Sequence, residues 1–162
     1  MGDTLDFKGP IIKLPYSPNM KRTMGFVAGG TGIAPMIQVI EEILRNPADK
    51  TQLSLIYGSV SEADILLKKQ IDALAKKHAS QFQVTYVLDH APKGWTGASG
   101  FITPALLKEK LAPPAEDTMV LVCGPPGLMA AISGPKAPDY TQGELGGALK
   151  QLGYTKESCF KM

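Results

Sequence analysis

Two stretches of this chain carry residue types and spacing that suit a bound nucleotide. In the first, the apolar run Phe26-Val27-Ala28 enters Gly29-Gly30-Thr31-Gly32 and continues as Ile33-Ala34-Pro35. A strand, a glycine turn and a proline in the first turn of a helix let backbone N–H groups approach an anion at that helix's N-terminus. The glycines do not spell G-x-G-x-x-G, and no Lys-Ser/Thr pair follows as a P-loop requires. Taken alone, the same spacing also fits a plain tight strand–helix turn.

In the second stretch, Val120-Leu121-Val122 ends in Cys123, followed by Gly124-Pro125-Pro126-Gly127-Leu128-Met129. A strand that stops at a cysteine and a rigid Gly-Pro-Pro-Gly turn offers one thiol and free backbone groups to a crevice. Cys123 reads as a nucleophile, a redox thiol or a small apolar filler. No His-based dyad and no nearby resolving cysteine accompany it, which argues against thiol catalysis. Hydride transfer asks little acid–base machinery of a protein, because the cofactor carries the chemistry. A cysteine against a nicotinamide face fits that better.

Smaller signals lie between the two stretches. Tyr57-Gly58-Ser59 follows a strand where an adenosine ribose would lie, and Asp64 sits shortly after it. An acid there accepts bonds from ribose hydroxyls and repels a 2′-phosphate, but it equally serves a helix dipole. Leu88-Asp89, Trp95-Thr96-Gly97 and Gly100-Phe101-Ile102 form a loop in which Trp95 either stacks on a ring or packs over the loop. His90 reads as a solvated surface residue.

The elements that must position these residues alternate. Strands are expected at Met24–Ala28, Gln52–Tyr57, Phe82–Leu88, Asp117–Cys123 and Cys159–Lys161. Helices are expected at Pro35–Arg45, Ser61–Lys77, Thr103–Lys110 and Gly143–Leu152. Ser61 and Thr103 serve as N-caps, Asn46-Pro47 as a stop and Gly153 as a C-cap glycine. Such alternation implies βαβ units with right-handed crossovers. The fold class is α/β: an open, doubly wound, Rossmann-like parallel sheet of five strands in the order 3-2-1-4-5. Ligands on such sheets bind at the carboxyl ends of the strands, where both stretches end.

Composition excludes several classes. With 162 residues, the chain suits one domain that buries roughly two-thirds of its unfolded surface. A net charge of +2, with arginine only at positions 22 and 45, gives no nucleic-acid footprint. Cys123 and Cys159 lack CxxC spacing, and His78 and His90 are the only histidines, so no metal site is expected. No apolar run approaches a membrane span. Thr4–Lys8 alternates with period two before a Pro-rich stretch. Residues 1–22 therefore read as the last strand of another domain plus a linker, and residues 23–162 as the nucleotide-binding domain.

Nearly the whole chain resembles the pyridine-nucleotide domain of the ferredoxin–NADP reductase superfamily, and within it the NADH-cytochrome b5 reductases. The matching residues are Gly2–Pro10, Gly29–Met36, Asp64–Lys68, Tyr86–Asp89, Trp95–Gly97, Gly100-Phe101 and Cys123–Pro126. The tail (Ile132–Lys136, Gln142–Leu145 and Leu152–Tyr154) is similar to the fungal mitochondrial branch. Gly127 stands where many relatives have a third proline, and the chain ends in Phe160-Lys161-Met162 where relatives often end in an aromatic residue.

The resemblance implies an oxidoreductase that takes hydride from NADH onto FAD and passes electrons singly to cytochrome b5. By position, Gly29, Gly30, Thr31 and Gly32 would hold the pyrophosphate, and Cys123, Gly124 and Pro125 would frame the nicotinamide. Asp64 would favour NADH. The full expected cofactor set adds Pro35, Gly58, Ser59, Asp89, Trp95, Pro126 and Met129, with Cys123 as the residue at the reacting centre. The family's flavin-binding Arg-x-Tyr-Ser/Thr-x-x-Ser segment has no match, since Arg22 precedes Thr23-Met24 and Arg45 precedes Asn46-Pro47. FAD is therefore expected in the complete enzyme and not on this chain, which alone should be inactive. Expected partners are its own FAD domain and cytochrome b5, and the expected location is mitochondrial, at the outer membrane or in the intermembrane space. The rivals are the reductase half of a nitrate reductase and a nucleotide-binding or protein-interaction module without redox turnover.

Overall fold

The computed structural model describes residues 2–6, 8–9 and 13–162. Its centre is β1 (Thr23–Gly29), a run buried along its whole length, as a strand covered on both faces must be. β2 (Gln52–Ser59) and β5 (Thr118–Cys123) flank it in parallel. β3 (Phe82–Leu88), the two-residue β4 (Ala98–Ser99) and β6 (Cys159–Lys161) complete a parallel sheet of order β4-β3-β2-β1-β5-β6. The five expected strands stand in the expected order. The sixth, β4, is invisible in sequence because two residues leave no periodicity, and it exists only by pairing with Val87 and Leu88. Register aligns the strand ends: Ala28 lies opposite both Tyr57 and Cys123, so the loops after three strands leave the sheet at one level.

Alternation along β1 divides the core. Met24, Phe26 and Ala28 join the cluster with Ile33, Met36, Ile37 and Ile40 of α1 (Ile33–Arg45) and Ile71 of α2 (Lys68–Lys77). Val27 faces the opposite cluster, with Leu107 of α3 (Pro104–Lys110), Met129 and Ile132 of α4 (Pro126–Ile132) and Leu149 of α5 (Gly147–Gln151). The buried residues of α1 recur at helical spacing, and each contributes about 1.5–3 kcal/mol relative to exposure. Thr103 caps α3 as expected, accepting from Leu106 N at 3.2 Å.

Three expected helices differ and one helix is unexpected. α1 begins at Ile33, before Pro35, because Gly30–Gly32 forms a single 3-10 turn that runs directly into it. The expected helix Ser61–Lys77 is split: a 3-10 turn at Glu62–Asp64 is followed by extended Ile65 and left-handed Leu67 (φ 58°), and α2 starts only at Lys68. The break turns Ile65 into the core, where it is 7% exposed. The expected helix Gly143–Leu152 survives only as α5, because the left-handed φ of Gly143 (61°) and Gly147 (57°) interrupts right-handed backbone up to the first residue of α5. α4 stands where the sequence reading places only a turn, yet Pro126 at its first position and Leu128, Met129 and Ile132 behind it are helix signals.

In the segment expected to be the last strand of another domain, Thr4–Asp6 and Lys8 carry no regular structure and pair with no strand of this sheet. A lone strand has no ladder to satisfy its backbone groups. Phe7 and Pro10 of that segment lie outside the described residues. Among the described residues, no helix is long and apolar enough to cross a membrane, and no cluster of His, Cys, Asp and Glu could hold a metal ion.

Candidate functional site

Close packing of the two loops fixes the site. A Cβ on Gly32 would lie 2.2 Å from the Cys123 carbonyl oxygen, and one on Gly29 would lie 2.8 Å from Leu128 Cδ1 and 2.9 Å from Pro125 Cδ. Gly124 approaches the Gly29 backbone in the same way, with 3.2 Å from its Cβ position to Gly29 N. These three glycines join the loops to each other. Gly30 differs: its φ is 53°, and a Cβ there would meet nothing within 4 Å. Its backbone is therefore the open part of the turn. The Tyr57 hydroxyl donates to Gly30 O at 3.0 Å and anchors it, and burial raises the phenol's pKa, which keeps the proton available for that bond.

A cavity of about 590 Å³ opens beside this junction. That is the size of an ordinary cofactor cleft. Gly29, Gly30 and Pro125 line it at the junction, and Gly58, Ser59, Asp64 and Asp89 line it at the ends of β2 and β3. These are seven of the residues expected from sequence. Val87, Ile102, Leu128 and Ile132 give it an apolar floor, and Phe101 is 85% exposed at its edge. No lysine or arginine lines it. Sequence reasoning does not single out Phe101, Leu128 and Ile132 as site residues. The signals that could have found them are a phenylalanine beside Gly100, which holds φ 85°, and the apolar face of α4.

Two polar groups in the cavity wall bear on its ligand. The Asp64 carboxylate accepts from Ser61 N at 2.9 Å and from Ser61 Oγ at 2.6 Å, which fixes its position in an exposed turn. Ser59 is 8% exposed, and its Oγ has no hydrogen-bond partner of acceptable geometry. A buried hydroxyl left unpaired costs about 1–3 kcal/mol, and Ser59 Oγ is itself closed off from solvent, so a ligand hydroxyl would reach it only after a rotamer change.

The remaining expected residues fall around the cavity or away from it. Thr31 is exposed at the N-terminus of α1, Pro35 is half-buried in that helix's first turn and Pro126 is exposed at the start of α4. Met129 is 9% exposed and belongs to the core. Cys123 is half-buried, and burial pushes its thiol upward, weakly opposed by the Lys136 charge. Its side chain packs against the α1-side cluster and does not line the cavity, and a neutral thiol is a poor nucleophile. Trp95 is not brought to the cavity. Its Nε1 donates to Ala98 O at 3.0 Å, its ring packs on the α1 side of the sheet, and it lines a separate cleft with Lys68 and Tyr86.

A parallel sheet that delivers a glycine turn and a Cys-Gly-Pro-Pro turn to one crevice at its topological switch point defines a dinucleotide-binding domain. The chain belongs to the oxidoreductase NAD-binding domain family, which it matches over residues 26–134. It is 50% identical over 159 residues to NADH-cytochrome b5 reductase 2 of Debaryomyces hansenii, covering 98% of this chain and 53% of that protein. It is 51% identical over 160 residues to an NADH-cytochrome b5 reductase-like protein of Arabidopsis thaliana, covering 99% and 48% respectively. The chain thus spans about half the length of the curated relatives it matches. Among solved structures it is similar to the cytochrome b5 reductase domain of Ulva prolifera nitrate reductase. The TM-score is 0.83 at 31% identity, covering 96% of this chain and 57% of that one. The resemblance and the fold class read from the sequence are both borne out.

Proposed function

We propose that this chain binds NADH and presents it to FAD held elsewhere in a complete NADH-cytochrome b5 reductase, with cytochrome b5 as the final acceptor. The observation that carries the reading is the cavity between Gly30 and Pro125, apolar on its floor and acidic at one end. The residues present fit the dinucleotide. The open backbone at Gly30 and the N-terminus of α1 suit a pyrophosphate. Asp64 and Asp89 suit ribose hydroxyls. Pro125, Gly124 and the neutral Cys123 thiol would border the nicotinamide, while Leu128 and Ile132 exclude water. NADH bound here would supply a hydride, which a flavin in the complete protein would accept and release as single electrons. A mitochondrial location rests on the resemblance of the tail and is tested by fractionating cells that express the complete protein.

Titration calorimetry of this chain with NADH, followed by ferricyanide reduction with and without added FAD, tests the proposal. We expect saturable binding in the micromolar-to-millimolar range, weakened by the exposed nicotinamide end, and no turnover without the flavin domain. Absence of saturable binding would refute the reading. Turnover by the chain alone would show that the flavin assignment is wrong. The nitrate-reductase rival is supported by the Ulva similarity at 31% identity, against about 50% for the reductases named above.

A further inference from the structure

Residues 13–22 read in sequence as a Pro-rich linker, but the structure gives them a dense set of side-chain contacts. Leu14 and Tyr16 pack against the α1-side core. The Tyr16 hydroxyl donates to Asp49 Oδ2 at 2.6 Å, and Asp49 is 1% exposed. The other carboxylate oxygen accepts from Thr51 N at 3.0 Å. Asn19 adopts φ 58° and brackets the same loop: its Nδ2 donates to Ala48 O at 3.0 Å, and its Oδ1 accepts from Lys50 N at 2.7 Å. Thr51 Oγ1 donates to Lys21 O at 2.8 Å, and Gln52 N donates to Arg22 O at 2.9 Å. Arg22 closes the segment with a two-pronged contact to Asp117, at 2.6 and 3.3 Å.

A flexible linker does not bury a tyrosine–carboxylate pair or hold an asparagine in the left-handed region. A non-glycine residue stays in the left-handed region when its surroundings over-determine it, and here both ends of the Asn19 amide are used. A buried carboxylate is tolerated only when its oxygens are satisfied, which Tyr16 and Thr51 do.

We propose that Tyr16–Arg22 is a rigid strap and that Tyr16 and Asp49 are a positioning pair, fixing the direction from which the preceding polypeptide meets the nucleotide-binding domain. The strap grips the Asn46–Thr51 loop and Asp117, at the amino ends of the strands, while the cavity lies at their carboxyl ends. It therefore acts on how the preceding segment is mounted and not on the nucleotide. Only what is mounted, a flavin domain, rests on the function proposed above. The strap itself does not.

The test uses Tyr16→Phe, which removes one hydroxyl from an otherwise unchanged ring, and Asp49→Asn, which removes the charge. Backbone order parameters and amide hydrogen exchange are read in this chain alongside NADH affinity. In the unmodified protein, residues 14–22 should show order parameters of about 0.85, equal to the sheet. In both variants those residues should fall below about 0.6, with at least tenfold faster exchange at Thr51 N. β1 and β5 should keep their order, and the NADH dissociation constant should stay within twofold. Order parameters below about 0.6 for residues 14–22 in the unmodified protein would overturn the proposal. So would unchanged order in Tyr16→Phe, or a matching loss of NADH affinity. An unmodified chain that fails to bind NADH refutes the function proposed above but leaves the order measurement to decide the strap.

Discussion

The Gly32 Cα hydrogen points at the carbonyl oxygen of Cys123 so closely that a methyl group in its place would sit 2.2 Å from that oxygen. Gly32 has an ordinary φ of −60°, so its identity is set by a neighbour far away in sequence and not by its own backbone. Gly30, two residues earlier, is the reverse case: φ 53° and nothing nearby.

The two glycines should therefore respond differently to alanine. Gly32→Ala must part the loops and should lose about 3 kcal/mol of stability in urea denaturation. Gly30→Ala should lose only about 1 kcal/mol, from backbone strain, while weakening NADH binding. Equal stability losses would contradict the division of roles between them.

Phe101 contributes little to folding at 85% exposure, yet it edges the cavity. Phe101→Ala should leave the melting temperature within about a degree and weaken NADH binding about three- to tenfold, the value of one aromatic stacking contact. Calorimetry on both proteins measures this.

Asp64 should make the chain prefer NADH to NADPH by about tenfold or more, since a 2′-phosphate would meet a carboxylate and no cation lines the cavity. Asp64→Thr should narrow that ratio. It should also lose about 1 kcal/mol of stability, because the carboxylate binds both Ser61 N and Ser61 Oγ. Equal affinity for the two nucleotides in the unmodified chain would remove the argument.

Burial raises both thiols, Cys159 to about 11 and Cys123 to a lesser degree. At pH 7 each should react with a disulfide reagent more slowly than free cysteine, with Cys159 the slower of the two. NADH should protect Cys123 and leave Cys159 unaffected. Cys123→Ser should fold normally, which circular dichroism and thermal melting check.

Burial alone would push the Asp49 carboxyl up, but hydrogen bonds from Tyr16 and Thr51 outweigh it and hold the group below the ordinary carboxylate range. Its contribution is thus fully present above the unfolded value of about 3.9 and disappears as the pH falls through the lower folded value. Asp49→Asn should be less stable at pH 6 and lose less further stability below about pH 4. Urea midpoints at pH 6, 4 and 3 distinguish the two curves.

Much of the fold was legible because β1 and β5 are apolar runs, β2 and β3 alternate apolar with polar residues, and α1 repeats its apolar residues at helical spacing. Those signals are local. The Ser61–Lys77 region misled because its helical composition continues through Leu67, whereas burial of Ile65 imposes a break there. Gly143–Leu152 misled for a similar reason, since the left-handed angles of Gly143 and Gly147 are imposed by their surroundings. A Cβ on Gly147 would lie 2.4 Å from Ala131 O.

The sequence by itself determined the order of five of the six strands, the switch-point position of the two loops and the acid that follows β2, because each is encoded by neighbours within a few residues. Only the tertiary structure decided which glycines join the loops and which one opens into the cavity. It alone turned Trp95 away from the cavity while bringing Phe101 to its edge, and it made a strap of an apparent linker. These depend on residues far apart in the chain meeting within a few ångströms, as Gly32 meets Cys123 and Tyr16 meets Asp49, and neither periodicity nor composition records such a distance.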